Sequence, residues 1–96
     1  MTYIYKFHDD MDAAAMEAQR DQLENLLSVD DDLLIDLSEV AFIDSSGVGG
    51  LVFLFKRVRA SGRQLTVTGL KGQPLQLLIH LGLKDLMQAR PERFAQ

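Results

Sequence analysis

The run Leu33-Leu34-Ile35-Asp36-Leu37 constrains this chain more than any other feature. A half-buried strand alternates apolar and polar residues, whereas a near-continuous apolar run of this length marks a strand covered on both faces, as in the sheets of α/β proteins. It is the expected central strand. Patterns of strand and helix alternate around it. Tyr3 to Phe7 has the β-branched and aromatic content of a short strand, interrupted by His8-Asp9-Asp10. Asp12 stands where a helix cap belongs. From Ala13 to about Leu27 good helix formers continue without Gly or Pro, with Met16, Leu23, Leu26 and Leu27 on one side.

Beyond the central run, Ser38-Glu39 turns the chain and Val40 to Ile43 leads in extended form into Asp44-Ser45-Ser46-Gly47. A second helix is expected from about Gly47 to Ala60, with Val48, Leu51, Val52, Phe55 and Val58 at the spacings of one buried face. Phe53 and Leu54 lie off that stripe, so they widen the core or leave an apolar patch, the wider core being preferred. Gly62 is placed to end the helix in the left-handed conformation. Leu65-Thr66-Val67-Thr68 alternates as a half-buried strand, and Pro74 suits the first turn of a third helix running to about Leu81 and stopped by Gly82. Leu83 and Leu86-Met87 are expected to pack back on the core. The order strand, helix, strand, helix, strand, helix implies right-handed crossovers and a layered α/β domain, with its functional crevice beyond the carboxyl end of the central strand.

At 96 residues the chain is read as one domain, residues 1–96, with a core over about 3–87 and a polar tail over 88–96. Cysteine is absent, which excludes disulfides and thiolate metal sites, and no other metal-ligating pattern stands out. The first residues lack the apolar run of a signal peptide and the longest apolar run, Leu51 to Phe55, is too short to cross a bilayer, so a cytoplasmic protein without membrane insertion is expected. Charge is unevenly placed: residues 1–44 hold 2 basic and 12 acidic side chains, and residues 45–96 hold 8 and 2. In one small fold such asymmetry suits a dipolar surface that orients a protein partner. The basic residues Lys56, Arg57, Arg59 and Arg63 fall at a helix end, where they complement the macrodipole, and no aromatic stacking platform accompanies them. A solvated helix end is preferred to direct nucleic-acid binding.

The segment from Leu34 to Gly49, Leu-Ile-Asp-Leu-Ser-Glu-Val-Ala-Phe-Ile-Asp-Ser-Ser-Gly-Val-Gly, resembles the signature of STAS domains in the anti-sigma factor antagonist family. Asp10-Met11-Asp12 is similar to that family's acidic-apolar-Asp element at the start of its first helix, and Leu78-Ile79-His80-Leu81-Gly82-Leu83 to its third helix. The resemblance covers nearly the whole chain. It implies a single STAS domain: a mixed four-stranded sheet, with or without the family's first strand, flanked by about three to four helices. It also implies that Ser45 is phosphorylated by a partner that is both serine kinase and anti-sigma factor, that a PP2C-type phosphatase resets it, and that Asp12, Asp44, Ser46 and Gly47 match positions around the site. Asp36, Asp44, Ser46 and Gly47 are taken as site-lining and Asp12 and Val48 as partner-binding. No cofactor is implied. Where the family's first strand is missing, an open sheet edge would invite self-association.

The residues support this chemistry independently. A phosphate at the start of a helix meets orphan N–H groups and the positive end of the macrodipole, yet presents about −1.5 to −2 charge to a partner that had docked on a neutral serine. Blander readings stand beside it. Asp-Ser-Ser-Gly is also an ordinary capped helix start, Asp36 an end-of-strand carboxylate bonding a nearby backbone group, and Asp12 a cap. Gly47-Val48-Gly49-Gly50 matches no nucleotide-binding fingerprint, and close helix packing explains it better. His80 reads as a packing residue and His8 as solvated. Two rival functions remain: a STAS scaffold subunit of a lipid-transport ABC complex, which needs no phosphorylation, and a hydrolase with Ser45 as nucleophile. The latter lacks the Gly-x-Ser-x-Gly elbow and an evident base, so the chain is read as no enzyme.

Overall fold

The computed structural model describes residues 1–84, which form three strands and four helices in the order β1 (Thr2–Lys6), α1 (Ala13–Ala18), α2 (Arg20–Leu26), β2 (Asp32–Asp36), α3 (Ser45–Ala60), β3 (Leu65–Thr68) and α4 (Gly72–His80). The sheet has the order β1-β2-β3, with β2 in the centre as its apolar run requires. Both pairings are parallel, Ile4 facing Leu34 and Leu34 facing Thr66. A fourth strand is not found among the described residues, as the expectation of a sheet without the family's first strand allows, and the two pairings described are both parallel. Leu86, Met87 and the polar tail over 88–96 lie outside the described residues.

One face of the sheet is sealed. Leu33, Ile35 and Leu37 on β2 and just beyond it, Leu65 and Val67 on β3, and Phe7 after β1 are buried, together with Leu23 and Leu26 of α2 and Leu51, Leu54 and Val58 of α3. The other face departs from the expectation of cover on both sides. Leu34 and Thr66 are only half-buried there and Ile4 is 61% exposed. The apolar run misled because its even positions, Asp32, Leu34 and Asp36, are only half-buried while Leu33 and Ile35 are sealed.

The first helix bends. Gln19 leaves helical geometry at φ −103 and ψ 9, dividing the expected single helix into α1 and α2. Its carboxamide folds back on the Ala15 carbonyl at 3.4 Å and accepts from the Tyr5 hydroxyl at 2.6 Å, so a side chain competes with the helical ladder at that point. Burial, with the Tyr3 phenol a lesser cause, pushes the Tyr5 hydroxyl above its usual range.

The long helix α3 follows its pattern closely. Gly47, Leu51, Leu54 and Val58 form its buried line, while Val48, Val52 and Phe55 are half-buried beside it. Leu54 thus widens the core as expected, but Phe53 is 48% exposed. Gly62, at φ +83, closes the helix: its N–H donates to Arg59 O and the Arg63 N–H to Val58 O, the two bonds of a Schellman cap.

Arg63 departs from the solvated helix end expected of the basic group. Its guanidinium donates to the carbonyls of Leu27 at 3.2 Å, Leu26 and Asp31 at 3.4 Å, and Val29, so it caps the negative end of α2 and ties the α2–β2 connection to α3. Lys56, Arg57 and Arg59 are exposed, and the Arg57 and Arg59 guanidinium carbons lie 5.4 Å from the ring centres of Phe53 and Phe55. Charged hydrogen bonds that become unmade cost more than neutral ones, so Arg63→Ala is expected to lower unfolding free energy by about 1–2 kcal/mol in a urea titration. Arg63→Lys, a single point charge without the planar fork, should recover less than half of that.

Candidate functional site

The candidate site forms where the connection after β2 turns into α3. Leu37, its N–H bonded to Thr68 O, holds the connection to β3, and the Asp36 carboxylate accepts from the Ser38 N–H at 2.9 Å. That bond, with a further one from the Ser38 side chain, holds the Asp36 carboxyl below its ordinary range. Asp36 therefore makes the end-of-strand turn of the blander reading, and its hydrogen-bond partner lies outside the Asp44–Gly47 segment.

Residues 40–44 are clamped on both sides. Met11 pairs with Ile43 in a parallel bridge, the Met11 N–H donating to Phe42 O at 2.9 Å and the Asp44 N–H to Met11 O at 3.2 Å. Asp10 accepts from the Ala41 and Phe42 N–H groups at 3.2 and 3.1 Å. From the opposite side the Gln73 carboxamide grips Ile43 at two points, accepting from its N–H at 2.8 Å and donating to its carbonyl at 2.9 Å. Beneath them Phe7, Met11, Leu37, Val40 and Ile43 are buried as an apolar plug. Asp10 and Gln73 escaped the sequence reading as positioning groups. Asp10 appeared there only as part of an acidic element, and nothing local to Gln73 signals a bond made thirty residues away.

The parallel bridge between Met11 and Ile43 sets the next residues of both segments side by side, so Asp12 and Asp44 cap neighbouring helices. Asp12 accepts from the Ala15 N–H at 2.9 Å. Asp44 accepts from Ser46 at 2.8 Å and Gly47 at 3.2 Å. Asp44, rather than a serine hydroxyl, thus satisfies the amides at the start of α3, and both carboxylates are explained as caps. Ser45 is the first residue of the helix, and it and Ser46 are exposed.

Gly47 is buried, and a Cβ built on it would lie 2.6 Å from the Met11 carbonyl oxygen and from Ile43 Cγ1. Its role is to let α3 lie against the Met11 segment. Gly50 meets only the flexible end of the Met16 side chain and Gly49 faces open space, so close backbone packing accounts for Gly47 alone. Val48 is half-buried beside them. Next to Ser46 a groove of about 390 Å³ runs between α1–α2 and α3, with Met16, Leu23, Leu54 and Phe53 among its walls. Phe42, on the connection before Asp44, is 45% exposed. Among the described residues no group of three or more His, Cys, Asp or Glu side chains is arranged to hold a metal, and no helix is long and apolar enough to cross a membrane.

Glu39 pairs with two basic groups. Lys6 Nζ lies 2.8 Å from Glu39 Oε2 and His8 Nδ1 3.4 Å from Oε1, and the hydrogen bonds from Lys6 and His8 hold the Glu39 carboxyl low while Glu39 raises Lys6. All three are surface groups.

A parallel α/β sheet whose central strand delivers an Asp-Ser-Ser-Gly helix start, clamped by the start of α1 and by α4, is the construction of a STAS domain. The STAS domain family matches residues 1–94, and the chain belongs to that family. It is 32% identical over 78 residues, 81% of its length and 72% of the relative's, to an anti-sigma-B factor antagonist of Bacillus subtilis. To the anti-sigma-B factor antagonist of Listeria monocytogenes it is 36% identical over 58 residues, 60% of this chain and 51% of the relative. A sulfate transporter family protein from Wolinella succinogenes superposes with a TM-score of 0.73 at 18% identity, over 90% of this chain and 70% of that one. That likeness is one of fold.

Proposed function

We propose that this chain is a non-catalytic regulator of the anti-sigma factor antagonist type, controlled by phosphorylation of Ser45. The unphosphorylated form binds a serine kinase that is also an anti-sigma factor, the phosphorylated form is released, and a PP2C-type phosphatase resets the cycle. The observation that carries the reading is the exposure of Ser45 at the first turn of α3, on a segment fixed by Met11, Asp10 and Gln73. A kinase can reach a hydroxyl so placed. The similarity to two anti-sigma-B factor antagonists supports the same class of partner.

The geometry refines how the phosphate acts. Asp44 already occupies the Ser46 and Gly47 amides, so a phosphate on Ser45 competes with a carboxylate for them instead of finding free donors. With Asp12 also close by in the paired segment, the added charge of about −1.5 to −2 concentrates an acidic surface facing the partner. Like charges set against an interface cost several kcal/mol, and about 1.4 kcal/mol is tenfold in affinity, so release needs no refolding. Asp12, Val48 and Ser46 are the partner contacts in this reading, and Asp44 and Gly47 shape the surface from below.

Intact-mass analysis after incubation with the cognate kinase and ATP tests the assignment. One added phosphate is expected on the unaltered chain and none on Ser45→Ala. A full phosphate on Ser45→Ala that disappears from Ser46→Ala would transfer the switch to the neighbouring hydroxyl.

A further inference from the structure

Strand β1 is an edge of the sheet among the described residues, and of the devices that blunt an edge it carries only its short length and one lysine. Its sequence, Thr2-Tyr3-Ile4-Tyr5-Lys6, has no proline, bulge or inward charge. Its one charged side chain is held by Glu39. Tyr3 is 45% and Ile4 61% exposed.

The direction of its free backbone groups follows from the ladder. The Phe7 N–H donates to Asp36 O, and in a parallel pair both main-chain groups of a given residue turn to the same neighbour while the next residue turns away. Residues 3, 5 and 7 therefore bond to β2. Thr2, Ile4 and Lys6 direct their N–H and C=O groups outward, away from the sheet.

We propose that β1 pairs antiparallel with β1 of a second copy of this chain, about a two-fold axis passing between the two Ile4 residues. In that register Ile4 faces Ile4 as a hydrogen-bonded pair and Thr2 faces Lys6 at either end, giving about six main-chain hydrogen bonds that use every outward group of the strand. No like charges oppose one another. Tyr3 of each copy faces Tyr5 of the other, on the side of the sheet that carries the helices, where cross-strand aromatic pairs add to stability. Beside each edge a groove of about 210 Å³ lined by Tyr3, Tyr5, Gln22, Asn25, Leu26 and Val29 leaves room for the phenol rings of the other copy. The strand is thus self-complementary in hydrogen bonding, charge and shape, as a two-fold contact demands. The described strands of the two copies then form one six-stranded sheet. Ser45, on α3, stays clear of the seam, so this inference is independent of the phosphorylation reading.

Light scattering across a dilution series of the full chain tests it, together with hydrogen exchange at Ile4 and Lys6. A species of twice the 10.8 kDa chain mass is expected, falling to the single mass on dilution, with both amides protected only in the larger form. Ile4→Pro removes the central outward N–H without touching a bond to β2, and Ile4→Lys sets two ammonium groups against each other at the axis. Each variant should keep its far-ultraviolet circular dichroism and shift to the single mass by at least a tenfold rise in dissociation constant. A chain that stays at the single mass throughout, or a double mass that persists in folded Ile4→Lys, overturns the proposal. So does protection of Ile4 and Lys6 in the single-mass form, which would place another stretch of the same chain along the edge.

Discussion

Gly47→Ala is expected to lower the melting temperature of this chain by about 8–16 °C, the larger of the stability effects argued from this fold. Alanine adds a Cβ 2.6 Å from a backbone oxygen, Met11 O, and 2.8 Å from Met11 Cβ. Neither neighbour swings away, since Met11 is bonded through its main chain to both Phe42 and Asp44. Overpacking of this kind costs about 3 kcal/mol, against a gain of about 1 kcal/mol for replacing a helical glycine, and the net loss of about 2 kcal/mol converts to that shift for a domain of this size. Gly49→Ala, two residues on with nothing in its path, should hold or raise the melting temperature by a few degrees. Calorimetry on the pair separates a packing glycine from one needed only by a partner. Equal melting temperatures would assign Gly47 to binding.

Ser45→Asp is expected to weaken binding to the serine kinase by at least tenfold while leaving the melting temperature within a few degrees of the parent. The substitution sets a carboxylate on an exposed helix position beside Asp44 and in the company of Asp12. Acidic residues are welcome in the first turn of a helix, so the fold accepts it, and the cost falls on the interface. Ser45→Asn, uncharged and of the same shape, should retain most of the affinity. If both variants weaken binding equally, the hydroxyl itself is the contact and charge is not the switch.

The parts of this fold that the sequence reveals are those specified by neighbours in the chain. The central strand, the buried line of α3 and the glycines that end α3 and α4 each follow from spacing or from φ > 0 at Gly62 and Gly82. Asp12 reads as a cap for the same reason, because a cap reaches amides only two or three residues on. What the sequence hides depends on residues that meet across the fold. The bend at Gln19 is set by the Tyr5 hydroxyl, fourteen residues away, and the role of Arg63 by carbonyls more than thirty residues before it. Gln73 and Asp10 hold the Ser45 segment from comparable distances. The half-open side of the sheet among the described residues was hidden for a related reason. Leu34 is as apolar as Leu33, and only the assembled layers show that one is sealed under helices and the other half-open.

The most direct test is the affinity of one kinase preparation for the unmodified chain and for the same chain carrying a stoichiometric phosphate on Ser45, measured by calorimetry at low and at high ionic strength. A loss of at least tenfold on phosphorylation, shrinking as salt screens the acidic surface, is the predicted result. Equal affinity of the two forms would contradict the account, however accessible the serine.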